Sequence, residues 1–312
     1  NVVIGRLSDQ LAGGAVQLDK SLSEEAIRRA VAQPLGLSLE EAAVSILKVA
    51  NANMADAVRL VSIGRGYDPR DFVLVTFGGA GPLHGVALAR DLSIPTVLVP
   101  PAPGVTSALG CLLVDIKHDI SRMYLSAVED VNPSDVETAF QELEEEGRQH
   151  LLHEGVPNEL MSFQRNIDMR YLGQWRAMSI EVGENVTSLD AAVALFHKEH
   201  GREHNYSRLD APVEVYRLTV NATGKTPKAE FAQHERVRSS PEPFTKRDVV
   251  FDEDPKAIMT PIYDRDKLKA GAVIDGPAII EQLDSTILVP PGLKAKVDPS
   301  LTIVIDVPLA QG

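Results

Sequence analysis

Phe72-Val-Leu-Val-Thr-Phe-Gly-Gly-Ala-Gly-Pro-Leu-His-Gly-Val-Ala-Leu-Ala-Arg90 is the stretch whose reading decides the fold. Phe72 to Phe77 is short, apolar and rich in Val and Phe, which predicts a buried strand. Gly78, Gly79, Ala80, Gly81 and Pro82 interrupt it, and Leu83 to Leu92 reads as a helix. A strand, a glycine turn and a helix start leave backbone N–H groups pointing outward with no side chain in the way, so a phosphate or sugar can approach. The same residues also suit a tight structural turn. No Lys-Ser or Lys-Thr follows the glycines, so this is not a P-loop. The dinucleotide fingerprint is nearly met, but His84 holds the third glycine position and Gly85 comes one residue late.

Downstream, Ile94 to Pro100 predicts a parallel strand that completes a strand–helix–strand unit. Pro100-Pro-Ala-Pro-Gly-Val-Thr-Ser-Ala-Leu-Gly110 follows as a rigid turn and a short helix, with Thr106 and Ser107 available to cap it or to meet a phosphate. Upstream, Ser21-Leu-Ser-Glu24 and Ser38-Leu-Glu-Glu41 have capping-box spacing, and the second opens a long helix to about Gly64. Asn51, Asn53, Asp56 and Arg59 lie on that helix, either solvated or lining whatever the glycine turn binds.

Beyond Asp115 the character changes. Asn132-Pro-Ser-Asp135 is a helix start with Asn as cap and Pro at the first position. Met161 to Val182 reads as a strand pair, Ser188 to about Asn205 as a helix, and Val213 to Ala222 as a strand. Lys225 to Phe251 reads as a crossing loop. From Ile258 to Val307, short β-rich runs are separated by Asp-Gly and Pro-Pro-Gly turns.

The 312 residues have room for about two domains. A formal charge of −13 argues against a nucleic-acid partner, and no run reaches the roughly 20 apolar residues of a membrane span. Cys111, inside Ala-Leu-Gly-Cys-Leu-Leu, reads as a buried thiol; a single cysteine cannot form an internal disulfide, which fits a reducing cytoplasm. His197, His200 and His204 share helical spacing; a solvent-facing stripe is the favoured reading over a metal site. Tyr171, Gln174, Trp175 and Arg176 form a polar-aromatic patch suited to an interface or a core. A nicotinamide site would need an acidic residue about 20 positions after the glycines, where the chain runs Pro100-Pro-Ala-Pro instead.

Phe77 to Gly85, taken together with Pro100 to Gly110, resembles the hydantoinase A / 5-oxoprolinase family. That family includes N-methylhydantoinase, caprolactamase and acetone carboxylase-type subunits. Val49 to Met54, Arg65 to Asp71, Asp168 to Gln174, Gly276-Pro-Ala-Ile-Ile-Glu-Gln282 and Val289 to Gly292 agree as well. The resemblance implies an α/β fold. Residues 1–125 would be the C-terminal part of an actin/sugar-kinase-like (ribonuclease-H-like) ATPase lobe, and residues 126–312 an α+β, β-rich C-terminal domain. It implies ATP and Mg as cofactors, with the phosphate and metal loops absent from this chain, which begins at Asn1 as if in mid-fold. By the same resemblance Gly78, Gly79, Ala80, Gly81 and Pro82 lie against the adenosine side of the nucleotide, with Gly104, Thr106 and Ser107 close by. The implied partners are the N-terminal lobe of the same subunit, a hydantoinase B-type subunit and a small cyclic amide. The implied reaction is ATP-dependent ring opening through a phosphorylated intermediate, with ketone carboxylation or a non-catalytic assembly role as alternatives. The resemblance assigns no catalytic residue or metal ligand to these positions.

Overall fold

The computed structural model describes residues 1–228, 230–237, 239–251 and 256–308. The chain forms two compact units, one of Asn1–Gly110 with Glu230–Gly312 and one of Cys111–Ala229.

The first unit opens with a two-stranded ribbon of β1 (Gln10–Leu11) and β2 (Val16–Gln17), then α1 (Lys20–Ile27), α2 (Gln33–Leu35) and α3 (Leu39–Val61). Ser38 caps α3 with the full reciprocal box to Glu41, as its spacing predicts. At α1 the cap is Asp19 in place of Ser21, because its carboxylate accepts from the Ser21 and Leu22 amides. Next come β3 (Leu74–Val75), α4 (Gly81–Leu92), β4 (Thr96–Val99) and α5 (Thr106–Leu113). After the second unit the chain returns with β9 (Thr245–Val250), β10 (Ala257–Asp264), β11 (Val273–Asp275), β12 (Ala278–Gln282), β13 (Ser285–Val289), β14 (Lys294–Val297) and β15 (Ile303–Asp306).

Two sheets result in this unit. One has the order β11-β14-β15-β4-β3 and is parallel only between β3 and β4; the other runs β13-β12-β10-β9. Val86, Ala89 and Leu92 of α4 pack with Val97 and Val99 of β4, with Ile280, Ile287 and Val289 of the second sheet, and with Ile303 and Ile305. Burying such side chains contributes on the order of 1.5–3 kcal/mol each. Because β15 pairs with β4 (Ile303 opposite Val99), a division at 125/126 would separate neighbouring strands of one sheet. That distant partner is not visible in local sequence.

In the second unit, β5 (Ile116–Ala127), β6 (Met161–Tyr171), β7 (Met178–Val182) and β8 (Val213–Gly224) form an antiparallel sheet of order β5-β8-β6-β7. α6 (Pro133–His153) and α7 (Asp190–His204) supply Phe140, Leu143, Ala192 and Phe196 to a core shared with Ile167, Met169, Tyr171, Val215 and Val220.

Four expectations change. The Phe72–Phe77 run is not a buried strand: only Leu74–Val75 is strand, it sits at the sheet edge, and Phe72, Val73, Val75 and Phe77 are about half exposed. Cys111 is exposed, because α5 buries no residue at all. Lys225 to Phe251 is not loop throughout, since β9 fills its last part; residues 229 and 238 of that stretch lie outside the described residues. β5 has no counterpart in the sequence reading: as an edge strand it carries Lys117, Asp119, Ser121 and Arg122 exposed, which masks the apolar signal.

Candidate functional site

The glycine stretch joins β3 to α4 as a bend whose crest is open. Gly79 and Ala80 are exposed, while Thr76 beneath them is buried and its amide donates to the Leu98 carbonyl at 2.9 Å. Gly78 sits at φ +81°, where a side chain would be strained. α4 begins at Gly81 with no side-chain cap and no acidic residue in its first turn. Ala80, at φ −103° and ψ −14°, lies outside the extended region that a capping side chain needs. Gly85 does what the third glycine of a dinucleotide fingerprint does: a Cβ there would lie 2.8 Å from Thr76 Cγ2 and 3.1 Å from Val97 Cγ1, so its absence lets α4 pack close on the strands. His84 points to α3, with Nδ1 2.7 Å from Asn51 Oδ1; Asn51 therefore ties two helices together and does not line the bend.

The second predicted segment meets the first directly, as the Gly78 amide donates to the Pro103 carbonyl at 2.7 Å. Three prolines, Pro100, Pro101 and Pro103, leave this turn short of N–H donors, so its carbonyls must be met from elsewhere. Arg265 Nη2 donates to the Val99 and Pro100 carbonyls at 3.0 and 2.6 Å, and Gln282 Nε2 to Pro101 at 3.0 Å. Thr106 Oγ1 donates to Ala102 at 3.0 Å. Thr106 thus braces the turn from within, while Ser107 is exposed. Arg265 is only 7% exposed, and burial pulls its guanidinium down to about 10 against the opposing pull of the Asp284 and Asp266 carboxylates.

Asp284 and Ser285, at the turn between β12 and β13, complete the support. Ser285 Oγ donates to the Gly78 and Gly79 carbonyls at 3.2 and 3.4 Å. The Asp284 carbonyl lies 3.3 Å from where a Gly79 Cβ would be, and Asp284 Oδ2 stands in the place a Gly104 Cβ would take. Glycine at 104 is therefore a steric requirement of Asp284. Sequence reasoning picks out Gly276–Gln282 as a motif but misses Arg265, Asp284 and Ser285, because only the sheet topology brings positions some 200 residues apart to one turn.

In the second unit only His204 of the three histidines faces solvent. His200 is 3% exposed, its Nδ1 2.8 Å from the Tyr206 carbonyl, and His197 Nδ1 is 2.8 Å from the Tyr171 hydroxyl. Burial, and then the neighbouring His200, hold His197 below its ordinary pKa. Among the described residues no group of three or more His, Cys, Asp or Glu is placed to hold a metal ion. The polar-aromatic patch divides, with Tyr171 in the core and Trp175 93% exposed. Asp168 and Arg170, in the motif noted above, pair with Arg217 and Glu214 across the sheet at 2.6 Å each.

Fold and site together define a mixed α/β protein with an open glycine bend at the start of a helix, braced by a distant hairpin. A family model for hydantoinase/oxoprolinase matches residues 1–120, and one for the hydantoinase/oxoprolinase C-terminal domain matches residues 127–304. The chain belongs to the hydantoinase/oxoprolinase family. An uncharacterised protein of Methanocaldococcus jannaschii is 41% identical over 96% of this chain and 42% of its own length. The caprolactamase alpha subunit of Pseudomonas jessenii is 34% identical over 97% of this chain and 45% of its own. The crystal structure of that ATP-dependent caprolactamase superposes with a TM-score of 0.81 at 33% identity, covering 98% of this chain and 46% of the other. Nucleotide-free acetone carboxylase superposes at 0.73 and 26% identity, covering 98% and 45%. The chain spans a little under half the length of these relatives. Among the described residues no helix is long and apolar enough to cross a membrane.

Proposed function

We propose that these residues are the C-terminal part of the ATP-binding subunit of an ATP-dependent cyclic-amide hydrolase, with the adenosine side of the nucleotide lying on Gly78, Gly79, Ala80, Gly81 and Pro82. The observation that carries this reading is the open bend: exposed Gly79 and Ala80, an uncapped α4, and a neighbouring turn at Gly104, Thr106 and Ser107 fixed against it. An empty helix start favours an anionic or polar ligand. ATP would supply the phosphoryl group that activates an amide oxygen; the chain's own residues would seat the nucleoside and hold the bend in place.

In this reading residues 1–125 supply part of an actin-like lobe and residues 126–312 are the family's C-terminal segment, whose last strand, β15, returns to pair with β4. The N-terminal lobe of the same subunit would cover the half-exposed apolar edge at β3, since an unpaired apolar edge strand is a surface for another chain segment. Mg, the phosphate loop and the catalytic groups would come from that lobe or from a B-type subunit. The higher TM-score to caprolactamase than to acetone carboxylase supports cyclic amides over ketones, while identity does not separate the two, since the acetophenone carboxylase gamma subunit is also 34% identical. Assaying the assembled enzyme on hydantoins and lactams against acetone plus bicarbonate tests that choice. For the site itself, ATP titration of the complete subunit is compared with Gly79→Val, whose Cβ would start 3.3 Å from the Asp284 carbonyl and whose methyl groups would crowd the bend. Affinity should fall by at least about tenfold, as blocking backbone approach removes main-chain contacts; unchanged affinity would make the bend structural only.

A further inference from the structure

The braced turns leave few side chains for a ligand to meet. The hydroxyls of Thr106 and Ser285 are donated to the Ala102, Gly78 and Gly79 carbonyls, and the Gln282 amide to Pro101. Pro100, Pro101 and Pro103 have no N–H to offer. Exposed Ser107 is left, and so is Asp284. Among the described residues the Asp284 carboxylate accepts no hydrogen bond; the Arg265 guanidinium attracts it without a direct ion pair, and it stands between both turns, its backbone carbonyl against Gly79 and its Oδ2 in the place of a Gly104 Cβ. The absence of a side chain at Gly104 keeps that carboxylate where it is.

A carboxylate accepts hydrogen bonds and donates none, and its charge repels a phosphate. The part of a nucleotide that suits it is one with adjacent donors and no charge. We propose that Asp284 receives the vicinal 2′- and 3′-hydroxyls of the ribose, one on each carboxylate oxygen, and so fixes the sugar between the two turns. The inference rests on reading Gly78–Pro82 as the adenosine-binding bend. It places the phosphates away from Asp284, toward the lobe that would supply the phosphate loop. The adenine amine is a poorer match, because it is a single donor group with no second hydroxyl beside it to fill the other oxygen.

The test compares binding of ATP, 2′-deoxy-ATP and 3′-deoxy-ATP to the complete subunit. Hydrogen bonds to a charged group are strong enough that the wild type should bind each deoxy analogue about tenfold or more weaker than ATP. Asp284→Asn keeps the shape beside Gly104 but replaces one acceptor by a donor. That variant should bind ATP more weakly and discriminate by less than about threefold. Gly104→Ala, which displaces the carboxylate without removing it, should lose discrimination in the same way. A wild type that binds all three nucleotides equally, or an Asp284→Asn variant that discriminates like the wild type, overturns this inference and leaves the adenosine-binding bend standing. A wild type that binds no ATP overturns both.

Discussion

Helices α4 and α6 begin in opposite ways, and the contrast separates structure from function in this chain. At α6, Asn132 accepts from the Ser134 amide at 3.2 Å, Pro133 takes the first turn, and Asp135 adds a negative charge where the helix dipole favours one. At α4 a proline also enters the first turn, yet the cap position is an alanine in helical conformation, with no acid beside it and exposed glycine before it. α6 satisfies its own first turn and then commits its side chains to the sheet. Arg165 of β6, 5% exposed, reaches Glu144 at 2.6 Å and Glu137 at 2.8 Å on that helix. The bend that leads into α4 is held by Ser285, whose hydroxyl donates to the Gly78 and Gly79 carbonyls, and its crest is left uncovered. A helix start stabilised by its own residues is a folding device; one stabilised from behind is available to a ligand.

The largest expected effect tests the folding side of that contrast. Arg165→Ala strands two carboxylates on α6, and breaking a buried ion pair of this kind costs about 3–5 kcal/mol. The urea midpoint of the second unit should drop accordingly, while ATP binding by the first unit should be retained.

Acidification should act in the same place. Burial works against ionising Glu137, but the Val186 amide and Arg165 outweigh it and hold its carboxyl below the ordinary 4.5. Its contribution is therefore complete above pH 4.5 and is lost as pH falls through the lower folded value. Urea midpoints measured from about pH 6 to 3 should decline below about 4.5, and the Glu137→Gln variant should decline less steeply.

The smallest effects compare the two caps directly. Asn132→Ala should cost about 1 kcal/mol of stability with no change in ATP affinity. Ala80→Asp should leave the thermal midpoint nearly unmoved, because the backbone at Ala80 cannot present a cap, yet weaken ATP by roughly tenfold through like charge at the bend. Equal behaviour of the two variants in both assays would dissolve the contrast.

Much of this was legible in the residues. Asn132-Pro-Ser-Asp135, the Ser38–Glu41 box and the glycine-to-helix step each act within one turn of chain, so local spacing reveals them. The bend and the 100–107 turn both stand out in the sequence as candidate site, though not the bond between Gly78 and Pro103. What local pattern could not reveal is whatever depends on distant partners. Exposure of Phe72 and Phe77 follows from β3 lying at a sheet edge, and β15 beside β4 follows from topology. Asp284 looks like an ordinary hairpin residue until it is found against Gly79 and Gly104. His200 reads as one of a polar stripe until Tyr206 is found beside it.

Amide hydrogen exchange of the complete subunit, with and without ATP, tests the central claim most directly. The account predicts that ATP slows exchange at residues 78–84 and 104–107 and leaves residues 132–136, at the self-capped start of α6, unchanged. Protection absent from the 78–84 bend under saturating ATP would contradict it.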